Sequence, residues 1–298
     1  MPRTHHSIPV SIIGAGKVGS TLTLLLHRAG YSVVSVISKN KKSAKHLASL
    51  VQCKVFSDSL SALSPETRFL LLTSPEETLT ELVRKLDAIS HIQYRGLFCA
   101  HVSGSETSDL FLPLKKRGAV PFSLHPIQTF PKHLSLAEQV TKMPGITYGF
   151  EGPRAALPFA RRIVRNLQGS IIVIPKEEKI LYHIACVFAS NYPLVMLGAA
   201  EELFLSLHQK VRRQHMQPLV QASIENAFHL GSMQALTGPV VRGSLDTIRS
   251  HIRTLKKTNP HIVEVYRQSG LLAAQLAYKS GRLTSRRCKT IENIFRNA

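Results

Sequence analysis

Acidic residues are scarce in this chain. Eighteen Asp and Glu stand against 38 Lys and Arg, for a formal net charge of +20. That balance suits anionic partners, whether a nucleotide cofactor, an anionic substrate or a polyanion. The excess lies in short groups: Lys39, Lys41 and Lys42; Arg161, Arg162 and Arg165; Arg212 and Arg213; Lys256 and Lys257; Arg282, Arg286, Arg287 and Lys289. Few aromatics interleave with them and no nucleic-acid motif is visible, so they read as solvated helix faces. Weak nonspecific polyanion binding is the one nucleic-acid role that composition leaves open. Cysteine is sparse too. Cys53, Cys99, Cys186 and Cys288 are far apart and form no C-x-x-C pair, which fits a reduced, cytoplasmic protein with buried or idle thiols. The 14 histidines are scattered, and no structural metal is expected. No uninterrupted apolar run has the length to cross a bilayer, so no membrane role is expected. The short polar start Met1–His6 has no apolar signal core after it. Internal repeats and flexible linkers are missing as well.

What is present is globular. Hydrophobic residues make up 44% of 298 positions, with a mean hydropathy of +0.02, enough for two substantial cores. The apolar run Ile8–Ile13 reads as a buried strand, and Gly14-Ala15-Gly16-Lys17-Val18-Gly19 follows with the spacing G-x-G-x-x-G. A packed helix over Ser20–Ala29 comes next. This strand–turn–helix order turns a weak glycine pattern into a dinucleotide-binding hypothesis. Gly14 takes the tight turn, Gly16 lets the backbone approach a pyrophosphate, and Gly19 lets helix and strand pack closely. The helix N-terminus offers unpaired N–H groups to the phosphates.

Ser32–Ile37 reads as a second strand ending at Ser38-Lys39-Asn40. NAD-binding domains usually carry an acid at that point to bond the adenine ribose 2′-OH. Here a hydroxyl and a lysine cluster stand instead, so Ser38 and Lys39 point to the 2′-phosphate of NADP. A lysine-rich helix start, Lys41–Val51, is the plainer account of the same residues. Lys54–Phe56 reads as a short third strand, Arg68–Thr73 as a fourth, Leu97–Val102 as a fifth and Ala119–Leu124 as a sixth. Thr73, Ser74 and Pro75 leave the carboxyl end of the fourth strand, where doubly wound sheets face their cofactor. Residues Ile146–Phe150 and Ser170–Ile174, with a helix from about Pro153 to Leu167 between them, complete an α/β region. After Pro175 the apolar residues recur at helical spacing. Long helices are expected at about Glu177–His208, Val211–Leu230, Leu245–Leu255 and His261–Lys279, the first kinked at Pro193, with a basic tail behind them. The expected fold is α/β, a Rossmann-like doubly wound sheet over residues 1–175, then an all-α domain over 176–298.

Five motifs occur in order: His101-Val102-Ser103-Gly104-Ser105, Ser123–Phe130, Tyr182-His183-Ile184-Ala185, Ser190-Asn191-Tyr192 and Ala235–Gly243. Together they resemble a family assigned as oxidoreductases, with a Rossmann-like N-terminal domain and a C-terminal domain of unknown function, in the 6-phosphogluconate-dehydrogenase-like superfamily. The resemblance covers nearly the whole chain. It implies NAD(P) binding, an enzymatic role and a homodimer, and leaves the substrate open. That family often has an acid after Arg242-Gly243, whereas this chain has Ser244, with Asp246 two residues on.

His125 ends a predicted strand, where it either protonates a carbonyl oxygen or simply shapes a His-Pro turn. Lys179 and His183 are four residues apart and share a helix face, with Asn191 further along. Taken alone, Lys179 reads as an exposed lysine at a helix start. The resemblance makes it a general acid or base, with Asn191 orienting the substrate. Thr237 and Arg242 break the helical pattern, where an arginine suits a substrate carboxylate or phosphate, or only marks a helix-ending turn. Ser103 joins them as a substrate contact. The leading expectation is an NADP-dependent oxidoreductase acting on a small carbonyl or imine compound, a 2-oxo acid such as 2-dehydropantoate. The other is a catalytically idle NADP(H) sensor with a basic partner-binding surface.

Overall fold

The computed structural model describes residues 8–209 and 211–298; the polar stretch Met1–His6 lies outside the described residues. The chain opens with β1 Pro9–Ile13, α1 Lys17–Arg28, β2 Ser32–Ile37, α2 Lys41–Leu50, β3 Phe56–Ser57, β4 Phe69–Leu72, α3 Leu79–Asp87 and β5 Phe98–His101. It continues with α4 Leu112–Lys116, β6 Val120–Pro126, α5 Leu136–Thr141, β7 Thr147–Glu151, α6 Leu157–Asn166 and β8 Ser170–Val173. The strands form one sheet in the order β3-β2-β1-β4-β5-β6-β7-β8. All neighbours pair in parallel except β6 and β7. The strand reversal after β1 (β2 and β3 to one side, β4 onward to the other) is the doubly wound arrangement, which places ligands outside the carboxyl ends of the strands.

Side-chain alternation builds a core on each face of the sheet. Val10, Ile12, Phe69, Leu71, Phe122, Leu124, Tyr148 and Phe150 meet α1, α2 and α6 on one face. Ile13, Leu70, Leu72 and Cys99 meet α3 and α4 on the other. The expected strands are found, with the third starting two residues later and ending one residue later than expected. The antiparallel β6–β7 pair was not legible in sequence. Ser11 is buried in the sheet because its hydroxyl pairs with those of Ser35 at 2.6 Å and Thr67 at 2.7 Å, which leaves no polar atom stranded.

The helical part comprises α7 Lys179–Leu205, α8 Arg213–Leu230, α9 Ser232–Ala235, α10 Leu245–Thr258, α11 Val263–Lys279 and α12 Ser285–Arg296. The chain forms two compact units, one up to Asn191 and one from Tyr192 onward, so the first turns of α7 belong with the sheet. That helix stays continuous through Pro193. Lys176–Leu205 is also long and apolar enough to cross a membrane by length and composition, with mean hydropathy 1.5. The polar residues of α7 interrupt this stretch, so it is not visible as an uninterrupted apolar run.

The basic tail is corrected as well. It folds as α12, capped by the Thr284 hydroxyl accepting from the Arg287 N–H. Its Cys288, Ile291 and Phe295 are buried with Ile248, Ile252 and Ala274 in the second unit's core, while its cations face outward. Gly270 of α11 lies under Phe295, and a Cβ there would stand 2.2 Å from that ring. Gly270→Ala is expected to destabilise the protein by about 1–3 kcal/mol through overpacking, despite alanine's better helix propensity. Urea unfolding checks it.

Candidate active site

The glycine loop follows β1 at the carboxyl edge of the sheet. Gly14 has φ +110°, and a Cβ on it would meet Thr73 and Ser74 within 2.9 Å. Gly19 is tighter, since its Cβ would fall 2.0 Å from the Gly14 carbonyl oxygen. Gly16 is exposed, and a Cβ there would meet nothing within 4 Å. Gly14 and Gly19 thus have the turn and the close helix packing expected of them, and the space over Gly16 is open. Ala15, Lys17 and Val18 complete the turn into α1, whose first turn carries no acidic residue and no side-chain cap. Lys17 Nζ donates to the Leu134 carbonyl at 2.5 Å. At the end of β2 the Ser38 N–H donates to the Ser57 carbonyl, and Lys39 is exposed beside Asn40, the N-cap of α2.

The loops after β1, β4 and β5 are tied together. Thr73 Oγ1 donates to the Gly14 carbonyl at 2.7 Å. Three residues on, the Glu76 carboxylate accepts from Ser103 Oγ at 2.5 Å and from the Ser105 hydroxyl. Burial alone would push the Glu76 carboxyl up. The two serine hydroxyls, with His183 and His101 nearby, outweigh that and hold it below its ordinary value. His101 is fully buried and supports the same loop. Its Nδ1 accepts from the Ser103 N–H at 3.2 Å, so its Nε2 is the donor to the Thr107 carbonyl at 3.1 Å. Burial lowers its pKa to about 4. Neutral and satisfied at both nitrogens, it shapes the turn.

On β6, Phe122 and Leu124 enter the core, so Ser123 and His125 point to the opposite face. The first turns of α7 cover that place. Lys179, Tyr182, His183 and Cys186 recur at helical spacing and are less exposed than Ile180, Leu181 and Ile184. Lys179 is fully buried, and its Nζ donates to Ser123 Oγ at 2.8 Å and to the Ser103 carbonyl at 3.2 Å. Burial lowers its pKa to about 8 against a partial pull upward by Glu151. His125 Nδ1 pairs with Tyr182 Oη at 2.7 Å. Burial, then the Lys179 charge and His183, lower the His125 pKa to about 4, so at neutral pH it is an uncharged imidazole. His183 meets it edge-on, with ring centroids 6.1 Å apart.

Both rings converge on Gly104. The position of a Cβ on that glycine lies 3.1 Å from His183 Nε2 and 3.2 Å from His125 Nε2. Four candidates, Ser103, His125, Lys179 and His183, therefore share one site within the first unit. Lys179 is buried, not the exposed helix-start residue that its sequence neighbours suggested.

Asn191 does not join this group, and Thr237 and Arg242 belong to the second unit. Asn191 lies 12 residues beyond Lys179, which on a helix turns it about 120° off the Lys179 face. It is exposed, and its Oδ1 accepts from Ser190 Oγ at 2.8 Å. Thr237 and Arg242 are exposed in the turn between α9 and α10 of the second unit. Asp246 is exposed and pairs with Arg249 at 3.0 Å, in the first turn of α10. Tyr182, Glu76 and Ser123 were missed as site residues. Alternation on β6 places Ser123 with His125, and helical spacing places Tyr182 with Lys179. No local signal announced Glu76, whose partners are more than 25 residues away.

Residues 3–126 match the family described as the Rossmann-like domain, and residues 146–272 match "Domain of unknown function (DUF2520)". Among solved structures, a candidate NADP oxidoreductase from Bacteroides fragilis is 23% identical with TM-score 0.74, over 90% of this chain and 98% of that one. Protein TM1727 from Thermotoga maritima is 22% identical with TM-score 0.70, over 91% and 99%. A reductive aminase from Aspergillus terreus, in complex with NADPH and ethyl levulinate, is 13% identical with TM-score 0.61, over 98% and 93%. At these identities the likeness is one of fold. No curated protein matches the sequence. Strands β1 to β6 of the doubly wound sheet and its glycine turn thus lie within the match to the Rossmann-like domain, and β7, β8 and the first helices after the sheet within the match to the domain of unknown function.

Proposed function

We propose that this protein is an NADP-dependent oxidoreductase that moves a hydride between the nicotinamide and a small carbonyl or imine compound. The observation that carries the reading is the convergence of His125 and His183 on Gly104, at the sheet edge that also holds the glycine loop. The cofactor fits the residues present. Gly16 leaves open the space that a close-approaching pyrophosphate needs, and the uncapped start of α1 offers its N–H groups. Ser38 and Lys39 are the candidates for the 2′-phosphate, and Thr73, Ser74 and Pro75 for the nicotinamide side. When bound, the nicotinamide supplies or accepts the hydride. His125 and His183 orient the substrate and handle its proton. Glu76 and Lys179 hold the Ser103–Ser105 loop and the imidazoles in place. The NADPH-bound reductive aminase of the same fold supports this assignment.

A 2-oxo acid such as 2-dehydropantoate is the narrower form of the proposal. Its carboxylate would not be held directly by Lys179, which is buried and already donates twice. Arg242 is the candidate anchor. The test is NADPH oxidation followed by absorbance against 2-oxo acids, neutral ketones and cyclic imines. Turnover of at least one is expected, and it should vanish in a His125→Asn, His183→Asn double variant. Turnover that survives the double change overturns the site. Tight NADPH binding without turnover of any compound favours the idle sensor.

The cofactor preference has its own expected result. Lys39→Glu should raise the NADPH dissociation constant about tenfold, the scale of one charged contact, and leave NADH nearly unchanged. Fluorescence titration reads both, and equal parent affinities for the two cofactors would contradict the assignment. The proposal includes a homodimer in the cytoplasm. Exposed Ile180, Leu181, Ile184 and Leu194 on α7 form the kind of apolar surface that a partner covers. Light scattering on the purified protein decides between monomer and dimer.

A further inference from the structure

Gly149 lies directly opposite His125 in the antiparallel β6–β7 ladder. Side chains facing each other in such a ladder project from the same side of the sheet, about 4.5–5.5 Å apart at Cβ. Tyr148 and Phe150 enter the core, so Gly149 faces the site alongside His125, and it has no side chain. The Tyr182 ring from α7 fills that space. A Cβ on Gly149 would stand 2.4 Å from Tyr182 Oη and 2.7 Å from its Cζ. A glycine on one strand is thus the seat for the phenol that reaches the imidazole on the next.

We propose that Gly149 and Tyr182 are positioning residues that fix the His125 tautomer. The Tyr182 hydroxyl donates to Nδ1, and the imidazole proton stays on Nε2, aimed at the substrate beside Gly104. This rests on the reading of His125 as the working imidazole. A phenol has one proton to donate, and burial pushes the Tyr182 pKa up, so that proton is retained. At 2.7 Å, Nδ1 is a good acceptor for it. The other polar neighbour the structure gives this hydroxyl is the Cys186 thiol, whose sulfur is a weak acceptor. If Nδ1 carried the proton instead, the phenol would have to turn its own toward that weak acceptor or toward solvent and give up the stronger bond to the imidazole.

The consequence is a substrate class within the proposed function. A neutral imidazole with its proton on Nε2 offers a hydrogen bond and accepts none at that atom. The atom it receives is therefore a carbonyl oxygen or the lone pair of a neutral imine, and not a protonated iminium, which has no lone pair to give. His101 shows the same logic on the preceding strand, where its Nδ1 partner leaves Nε2 as the donor.

Nitrogen NMR of the histidine side chains in the parent protein reads the tautomer without any turnover. The expected result is a neutral His125 protonated at Nε2. In Tyr182→Phe, which keeps the ring and drops the hydroxyl, the two tautomers should mix and kcat should fall about tenfold at little-changed KM. In Gly149→Ala the same mixing is expected because the ring is pushed off its seat. Added to Tyr182→Ala, which empties the seat, Gly149→Ala should cause no further change. Protonation at Nδ1 in the parent overturns the proposal. So does an unchanged tautomer in Tyr182→Phe, which answers the question even if Gly149→Ala fails to fold. Protonation at Nε2 in a protein that turns over no carbonyl or imine leaves the tautomer assignment standing and sinks the oxidoreductase reading instead.

Discussion

Gly16→Ala should fold as stably as the parent and bind NADPH roughly 10- to 100-fold more weakly, while Gly19→Ala should lose stability itself. The two glycines belong to one motif, yet their surroundings differ. A methyl group at Gly16 meets no protein atom within 4 Å, so it adds no strain to the folded chain. It does occupy the space through which a pyrophosphate approaches the backbone. Overfilling a close contact costs about 1–3 kcal/mol, which is that range of affinity. At Gly19 the methyl would stand 2.0 Å from the Gly14 carbonyl and 2.3 Å from Thr73 Oγ1. Relief requires moving α1 away from β1, so the cost appears in the fold, at about 3 kcal/mol or more. Urea unfolding and NADPH titration on both variants separate the effects. Parent-like NADPH affinity in Gly16→Ala would remove the nucleotide from this loop.

Lys179→Met should lower kcat roughly 10- to 100-fold without lowering stability at pH 7. Lys179 is fully buried and its Nζ bonds to Ser123 and Ser103, so under the proposed function its part is to hold the Ser103 loop and β6 beside the substrate. Displacing such groups by about an ångström has a cost of that order. The lysine pKa falls from 10.5 to about 8 on folding because burial disfavours its charge. Between those values the unfolded chain binds more protons than the folded one, so this residue makes stability rise with pH from about 8 to 10.5. The linked energy is about 3 kcal/mol, absent below pH 8 and present in full above 10.5. Buried tyrosine and cysteine groups, pushed up by burial, pull the other way at alkaline pH but are common to both proteins. The difference between parent and variant therefore isolates Lys179. Chemical denaturation at pH 7, 9 and 10.5 measures it, and a constant difference would show that the lysine is solvated. The acid limb of any pH–rate profile should also move upward in the variant, because the Lys179 charge helps to keep the His125 pKa low.

How much of this was legible depends on how local each cause is. The strands at Pro9–Ile13 and Ser32–Ile37, the glycine turn and the first long helix follow from apolar runs, periodicity and glycine spacing, which act over a few residues. His125 could be placed at a strand end and Lys179 on the same helix face as His183 for the same reason. Whether His125 merely shaped a turn and whether Lys179 lay in solvent could not be read locally. Those depended on Tyr182, 57 residues from His125, and on Ser123, 56 from Lys179. The basic tail shows the same limit. Its cations dominate the composition, while the apolar side of α12 counts only once α10 and α11 supply a core to bury it.

By itself the sequence determined the order of elements, the α/β-then-helical division of character and the loop at which a dinucleotide is expected, because each is written in short-range spacing. Tertiary structure alone decided what the side chains do. Burial between sheet and helix lowers the lysine pKa, keeps His125 neutral and gives its Nδ1 to Tyr182. The antiparallel turn of β7 brings a glycine, and not a side chain, to the place where that tyrosine must sit. The Gly14–Gly19 loop marks where the sheet edge opens, and contacts made across tens of residues decide what faces it.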